Sequence, residues 1–166
     1  MDIYSFLDSH GIAYQRFDHP AVFTCEQANE LRMPMPGKDT KNLFLRDKKG
    51  KRHFLVTVGH EKQADLKALT EVLQVQQGLS FASPERLKDH LGVEPGSVTI
   101  LGLLNDKDHR VELVIDTAVW NAEAVCAHPL VNTATLVLSH AGLEKFLQMT
   151  GHSPKVLDVP EAKKTV

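Results

Sequence analysis

Apolar residues along this chain recur with two periods, and the switches between them mark out most of its elements. Ile3, Phe6 and Leu7 share one face at helical spacing, and Gly11 follows where a helix can stop in the left-handed region. "IAYQRF", residues 12–17, alternates as a short strand that ends at Asp18-His19-Pro20. Thr24 and Gln27 have capping-box spacing and open a short helix that must stop before Pro34 and Pro36. "NLFLRD" and "RHFLVTVG", joined by "KKGK", form the clearest β-hairpin. Leu66, Leu69 and Leu73 return to helical spacing, and "LSFAS" is a brief strand. Ser83-Pro84 then supplies an N-cap and first-turn pair for a helix that ends near Gly92. Beyond the Pro95-Gly96 turn, "SVTILGLLND" and "RVELVIDTAV" read as a second hairpin across Asp106-Lys107-Asp108. "ATLVLS" is a further strand, and "HAGLEKFLQMTG" is a helix with Leu143, Phe146 and Leu147 on one side. "PKVLDV" closes the fold.

Hairpins outnumber βαβ units in this reading, so the predicted class is α/β of the α+β kind, with a mixed, mostly antiparallel sheet flanked by helices. No repeat, low-complexity tract or linker divides the chain. One domain is expected over residues 1–160, with 161–166 as a frayed tail.

Composition narrows the classes of function. The 166 residues carry a formal net charge of −2, with 42% hydrophobic and 24% charged residues, as in a soluble globular domain. "MDIYSFLDSHG" lacks the basic-then-apolar layout of a signal peptide, and no apolar run approaches membrane-spanning length. No membrane partner is therefore expected, and the cytoplasm is the default location. Cys25 and Cys126 are too few for a disulfide scaffold and should stay reduced there. A pI near 6.5 argues against a protein that coats DNA. It leaves room for a local basic patch that grips one nucleic-acid end.

Three kinds of chemistry find little support. The nine histidines include no HxxxH pair, and there is no CxxC, so neither a metal nor another cofactor is expected. Cys126-Ala127-His128 has the residue types of a thiol hydrolase, but neighbours at i and i+2 rarely form the in-plane thiolate–imidazole contact. No GxxxxGK[ST] or GxGxxG loop is present. What stands out is charge and placement. Seven Lys or Arg fall in the fifteen positions from Lys38 to Arg52, and Lys41-Asn42 lies away from the hairpin tip. "HPLVNT", residues 128–133, offers His128, Asn132 and Thr133 just before a strand, where a scaffold presents small-ligand sites. Taken alone, the pattern favours the plainer reading, in which Asn42 and Asn132 are turn residues and Lys41 is solvated.

A resemblance changes that balance. The segments "FDHPAVFTCEQA", "GKDTKNLFLRDKKG", "LSFASPERLKDHLGVEPGSVT" and "HPLVNTATLVLS" occur in this order over nearly the whole chain. Together they resemble the YbaK/ProX family of aminoacyl-tRNA deacylases, and within it the freestanding branch that clears alanine from proline tRNA. The resemblance implies a single YbaK-like domain with a curved sheet. It places the functional lysine at Lys41 and the adjacent asparagine at Asn42. The histidine of the HPLxNT segment falls on His128, with Asn132 beside it, and the pocket glycine on Gly102. In that light Lys41 is expected to hold the terminal phosphate or ribose region, and Asn42 and His128 to orient ester and adenosine. Backbone amides near Gly102 would then face the oxyanion. The implied partner is the acceptor end of tRNA, with prolyl-tRNA synthetase as a further candidate. This chain has Ile100-Leu101 where relatives often carry Pro-Phe, which bears on pocket size and on the amino acid accepted. The rival readings are a deacylase for serine or cysteine on tRNA, and a non-catalytic RNA-binding module.

Overall fold

The computed structural model describes residues 2–21 and 36–162. The capping-box helix expected at Thr24, and Cys25 with it, lie outside the described residues. Helix α1 (Ile3–Ser9) starts because the Asp2 carboxylate accepts from the Ser5 amide at 2.9 Å, and Gly11 follows its end at φ +67°. Strand β1 (Gln15–Asp18) is shorter than the alternation predicts. The Ile12 amide donates to the Leu7 carbonyl at 2.9 Å, so Ile12 belongs to the wrap around the helix end.

The predicted hairpin is present as β2 (Thr40–Asp47) and β3 (His53–Gly59), paired from Thr40↔Gly59 to Arg46↔His53. Helix α2 (Leu66–Val72) buries Leu69 and is capped by Asp65, and β4 (Leu79–Phe81) adds to β2. Helix α3 (Pro84–Leu91) has the expected Ser83 cap and ends at Gly92 in the left-handed region. The next expectation fails. Residues Ile100–Asn105 form a 3₁₀ helix, and β5 (Val111–Asp116) runs parallel to β3 from His53↔Val111 to Thr57↔Ile115. "ILGLL" is apolar without alternation, so periodicity could not separate strand from buried helix. Thr99 decides the matter by accepting from the Leu101 amide at 3.2 Å. Asp106 anchors the other end, accepting from the Arg110 and Val111 amides at 3.0 and 2.9 Å. After the short helix α4 (Thr117–Trp120) come β6 (Ala124–Ala127) and β7 (Ala134–Ser139), then helix α5 (His140–Thr150) and β8 (Lys155–Leu157).

Among the described residues the single sheet expected is two, of orders β1-β7-β6 and β4-β2-β3-β5-β8, and of their strand pairs only β3–β5 and β5–β8 are parallel. One bridge, Lys38↔Val125, joins them. The main core includes Phe44 and Leu55 from the larger sheet, Leu136 and Leu138 from the smaller, and Leu91, Leu101 and Phe146 from helices. A second core covers the opposite face of the larger sheet with Leu45, Phe54, Val56, Val58 and Leu69. Glu161 bridges to Ala64, and the Ala162 amide donates to the Gln63 carbonyl, so pairing extends two residues into the expected tail. Residues 163–166 lie outside the described residues.

At the hairpin end of β3, His53 and His90 are both 3% exposed, with ring centroids 4.0 Å apart. Arg86 Nη1 donates to His53 Nε2 at 3.0 Å, and His90 Nδ1 is buried without a hydrogen-bond partner among the described residues. Burial lowers the His53 pKa to about 4, helped by His90, Arg86 and Arg110 and opposed by Asp47. Burial likewise lowers His90, with Arg110 and Arg86 adding and Asp89 and Asp106 opposing. Depressed histidine pKa values mean that the unfolded chain binds more protons than the folded one below its own pKa of 6.5. Stability from His53 is therefore complete above pH 6.5 and is lost as pH falls toward 4. A loss on the order of 2 kcal/mol is expected between pH 7 and pH 4.5. Urea melts across that range check it, and His53→Leu should flatten the profile.

Candidate functional site

The two halves of the candidate site meet where the two sheets meet. Gly37 makes the approach possible, because a Cβ there would stand 3.1 Å from Val137 Cγ1 and 3.2 Å from Cys126 Sγ. The next residue forms the bridge: the Lys38 amide donates to the Ala124 carbonyl at 2.9 Å, and the Cys126 amide to the Lys38 carbonyl at 3.0 Å. Then the ladder stops. The Thr40 hydroxyl, in place of its amide, donates to the Cys126 carbonyl at 2.7 Å, and the strands part. Three residues beyond the bridge on the two sides stand Lys41 and His128.

Strand alternation settles which way they face. Lys41 shares the face of Leu43 and Leu45, away from the main core. Val125 and Ala127 point into the main core, which puts Cys126 and His128 on the other side, with Lys41. Asn42, next in sequence, faces the opposite way beside Phe44. Its Oδ1 accepts from the Thr57 hydroxyl at 2.6 Å, and Thr57 is buried. The strand thus splits the Lys41-Asn42 pair between two faces. Lys41 is partly exposed, and its side chain has no hydrogen bond or ion pair among the described residues. Its neighbours differ: Lys38 Nζ lies 3.5 Å from Glu61, and Lys62 Nζ donates to Asp116 and to the Val159 carbonyl.

His128 is held in one tautomer. Its Nδ1 lies 3.0 Å from the Ala134 carbonyl, which can only accept, so Nδ1 carries the proton and Nε2 is left as an acceptor. Burial lowers its pKa, against that hydrogen bond and with help from His19. Neutral imidazole is therefore the resting form at neutral pH. His19 stands edge-on at 6.2 Å, donating from Nδ1 to the Pro20 carbonyl and accepting at Nε2 from the Thr135 hydroxyl at 2.8 Å. The buried Thr99 hydroxyl donates to the His128 carbonyl at 2.7 Å and ties the 3₁₀ helix to this segment. Leu130 takes φ +66°, a costly conformation for a branched side chain, and Asn132 is buried within the same loop.

Gly102 lies in the 3₁₀ helix, where its missing Cβ admits Leu91 Cβ at 3.2 Å. Its amide donates to the Thr99 carbonyl at 3.0 Å, and the Leu101 amide to the Thr99 hydroxyl, so neither is available to an oxyanion. Ile100 and Leu101 are buried in the main core. The tip Lys48-Lys49-Gly50-Lys51 lies seven residues along β2 from Lys41, roughly 23 Å away. Arg46 donates to the Asp47 and Lys48 carbonyls and Arg52 pairs with Glu112, so both are committed locally. The Cys126 thiol is buried and pushed up to about 12 by desolvation and by Asp39, which leaves no reactive thiolate. Among the described residues no group of three or more His, Cys, Asp or Glu could hold a metal, and no helix is long and apolar enough to cross a membrane.

Sequence reasoning passed over His19, Thr135, Thr99 and Thr57. His19 was visible in "FDHP" but read as a strand end. Thr99 and Thr57 carried no signal, because their partners lie 29 and 15 positions away.

Residues 19–146 match the sequence profile of the Aminoacyl-tRNA editing domain, a span that includes Lys41, Asn42, Gly102, His128 and Asn132. The chain belongs to this family. Within the aminoacyl-tRNA editing family it is similar to Prolyl-tRNA editing protein ProX of Acetoanaerobium sticklandii, 37% identical over 153 residues, which is 92% of this chain and 93% of that one. It is also similar to Prolyl-tRNA synthetase associated domain-containing protein 1 of Mus musculus, 40% identical over 144 residues, 85% of each chain. A solved structure of a candidate trans-editing enzyme for prolyl tRNA synthetase shares the fold, with TM-score 0.70 and 20% identity over 96% of this chain and 95% of that one. These relations make the protein a YbaK/ProX-type editing domain, an aminoacyl-tRNA deacylase that acts as an ester hydrolase.

Proposed function

We propose that this editing domain hydrolyses the ester between alanine and the terminal adenosine of proline tRNA, sparing prolyl-tRNA. The observation that carries the reading is the placement of Lys41 and His128 on one face of the split between the two sheets. Lys41 is a compact cation suited to a phosphate or ribose of the acceptor end. His128 presents a neutral acceptor at Nε2 to the attacking water or to a neighbouring ribose hydroxyl. In the step itself the water oxygen bonds to the ester carbonyl carbon, the bond to the ribose oxygen breaks, and that oxygen takes up a proton. An aminoacyl ester is already activated, so positioning and oxyanion stabilisation suffice, and no protein nucleophile enters. The names of the relatives support proline tRNA as the substrate body and prolyl-tRNA synthetase as the enzyme whose errors are cleared.

Specificity follows from size. A synthetase pocket made for proline gains only ~1–3 kcal/mol per methylene against alanine, so a second, smaller hydrolytic pocket must do the sorting. The test is deacylation of a panel of charged tRNAs by the purified protein. Release of alanine from proline tRNA with prolyl-tRNA left intact is the expected result. Preference for serine or cysteine would replace the substrate, and RNA binding without ester cleavage would refute the activity. Cys126→Ala is expected to change turnover by less than about twofold, since the thiol it removes is protonated.

A further inference from the structure

The parting of β2 from β6 leaves more than two side chains at the split. The Asp47 amide donates to the Arg52 carbonyl, and the His60 amide to the Asp39 carbonyl. These bonds fix the odd-numbered residues of β2 as the ones whose N–H and C=O face β3. The even-numbered ones face the other way. There, Lys38 bonds to β6, and the Phe44 carbonyl accepts from the Ala82 amide where β4 approaches. Asn42 lies between these two partners. Among the described residues neither its N–H nor its C=O has a hydrogen bond, although its strand is internal to a five-stranded sheet. Among the described residues the Thr40 amide and carbonyl are also without a backbone partner, so the gap runs from Thr40 to Asn42, and it is unusual because backbone groups inside a sheet are normally matched. This gap opens beside Lys41 and on the side from which His128 comes.

We propose that the peptide edge of Asn42 is the docking site for the aminoacyl group, which adds to β2 as a one-residue strand. The inference rests on the editing reading and deepens it. In an antiparallel hydrogen-bonded pair two residues exchange both of their N–H···O bonds. An aminoacyl ester carries the matching groups, an ammonium donor and a carbonyl acceptor, on either side of one Cα. The Asn42 C=O takes the ammonium, and the Asn42 N–H donates to the ester carbonyl oxygen where negative charge develops during hydrolysis. This supplies the donor that the committed amides of Leu101 and Gly102 cannot. Paired residues share a face of the sheet, so the substrate side chain stands beside the Asn42 side chain, on the face opposite Lys41. The size of the amino acid is then read on one side of the sheet while Lys41 and His128 act from the other. Asn42 serves here as a positioning residue through its backbone as well as a group that touches substrate.

Amide hydrogen exchange by NMR on the full chain tests this, using 3′-deoxy-3′-(L-alanylamino)adenosine as a probe that cannot be hydrolysed. In the free protein the Asn42 N–H should exchange at least about 100 times faster than those of Lys41 and Leu43, which are paired to β3. Saturating probe should slow Asn42 about tenfold or more and leave the two neighbours unchanged. The 3′-propionylamino analogue, which lacks the ammonium, should bind on the order of tenfold more weakly. If the probe shifts the Lys41 and His128 resonances but leaves Asn42 exchange untouched, the docking proposal falls and the editing reading stands. If the probe does not bind and alanyl-tRNA is not deacylated, both fall.

Discussion

Lys41→Ala is expected to lower kcat/KM for deacylation by about 100-fold or more, with the thermal midpoint nearly unchanged. The two halves of this forecast have separate physical grounds. The Lys41 side chain makes no hydrogen bond or ion pair among the described residues, so truncating it breaks no such contact in the fold. Among the described residues it is nevertheless an unpaired cation at the split, with Lys38 and Lys62 engaged by Glu61 and Asp116. Steady-state kinetics then show how the charge is used. If it grips a phosphate throughout the reaction, KM rises and the salt dependence of log K falls by about one unit. If it acts on charge that develops at the ester, kcat falls instead. A variant within about threefold of the parent in kcat/KM would remove Lys41 from the site.

The largest stability effect is expected at Asp106, far from the chemistry. Its side chain and that of His152 are each 3% exposed, with His152 Nε2 donating to Oδ2 at 2.9 Å. The same carboxylate accepts from the amides of Arg110 and Val111 and so fixes the turn from the 3₁₀ helix into β5. Burial opposes its ionisation, but the hydrogen bonds from His152, Val111 and Arg110 prevail and hold the carboxyl below the usual range. Asp106→Ala leaves three donors unmatched, two of them buried, and about 3–5 kcal/mol of stability should be lost. For a chain of this size that is a drop in Tm of roughly 10 °C. Asp106→Asn should recover little, because its amide turns a donor toward groups that are themselves donors. A Tm within about 2 °C of the parent would show that water replaces the carboxylate at little cost.

Much of the architecture was legible in the sequence because it depends on local patterns. The β2–β3 hairpin has alternation on both sides of a polar, glycine-containing turn. Helix α3 has Ser83-Pro84 at one end and Gly92 at the other, and α5 has its apolar stripe. "SVTILGLLND" hides its geometry because an unbroken apolar run has no period to betray it, and the cap that makes it helical is a side-chain contact of Thr99. The parallel course of β5 was hidden for a related reason, since each β3 partner lies 58 positions earlier, from His53↔Val111 to Thr57↔Ile115.

The site divides along the same line. Residue type and order point to Lys41, Asn42, His128 and Asn132, because charge, hydrogen-bonding capacity and motif order are properties of the chain itself. Tertiary structure alone decides that Lys41 lies on the same side as His128 while Asn42 lies on the opposite one, since side-chain direction on a strand depends on pairing. Tertiary structure alone also decides that the Gly102 amide is already bonded and that His19 buttresses His128. The open peptide edge at Asn42 exists only because Gly37 lets β2 meet β6 for a single bridge and Thr40 then ends the ladder. The sequence determines which groups are present. Which of their bonds remain open to a substrate is determined by what the rest of the fold has already paired.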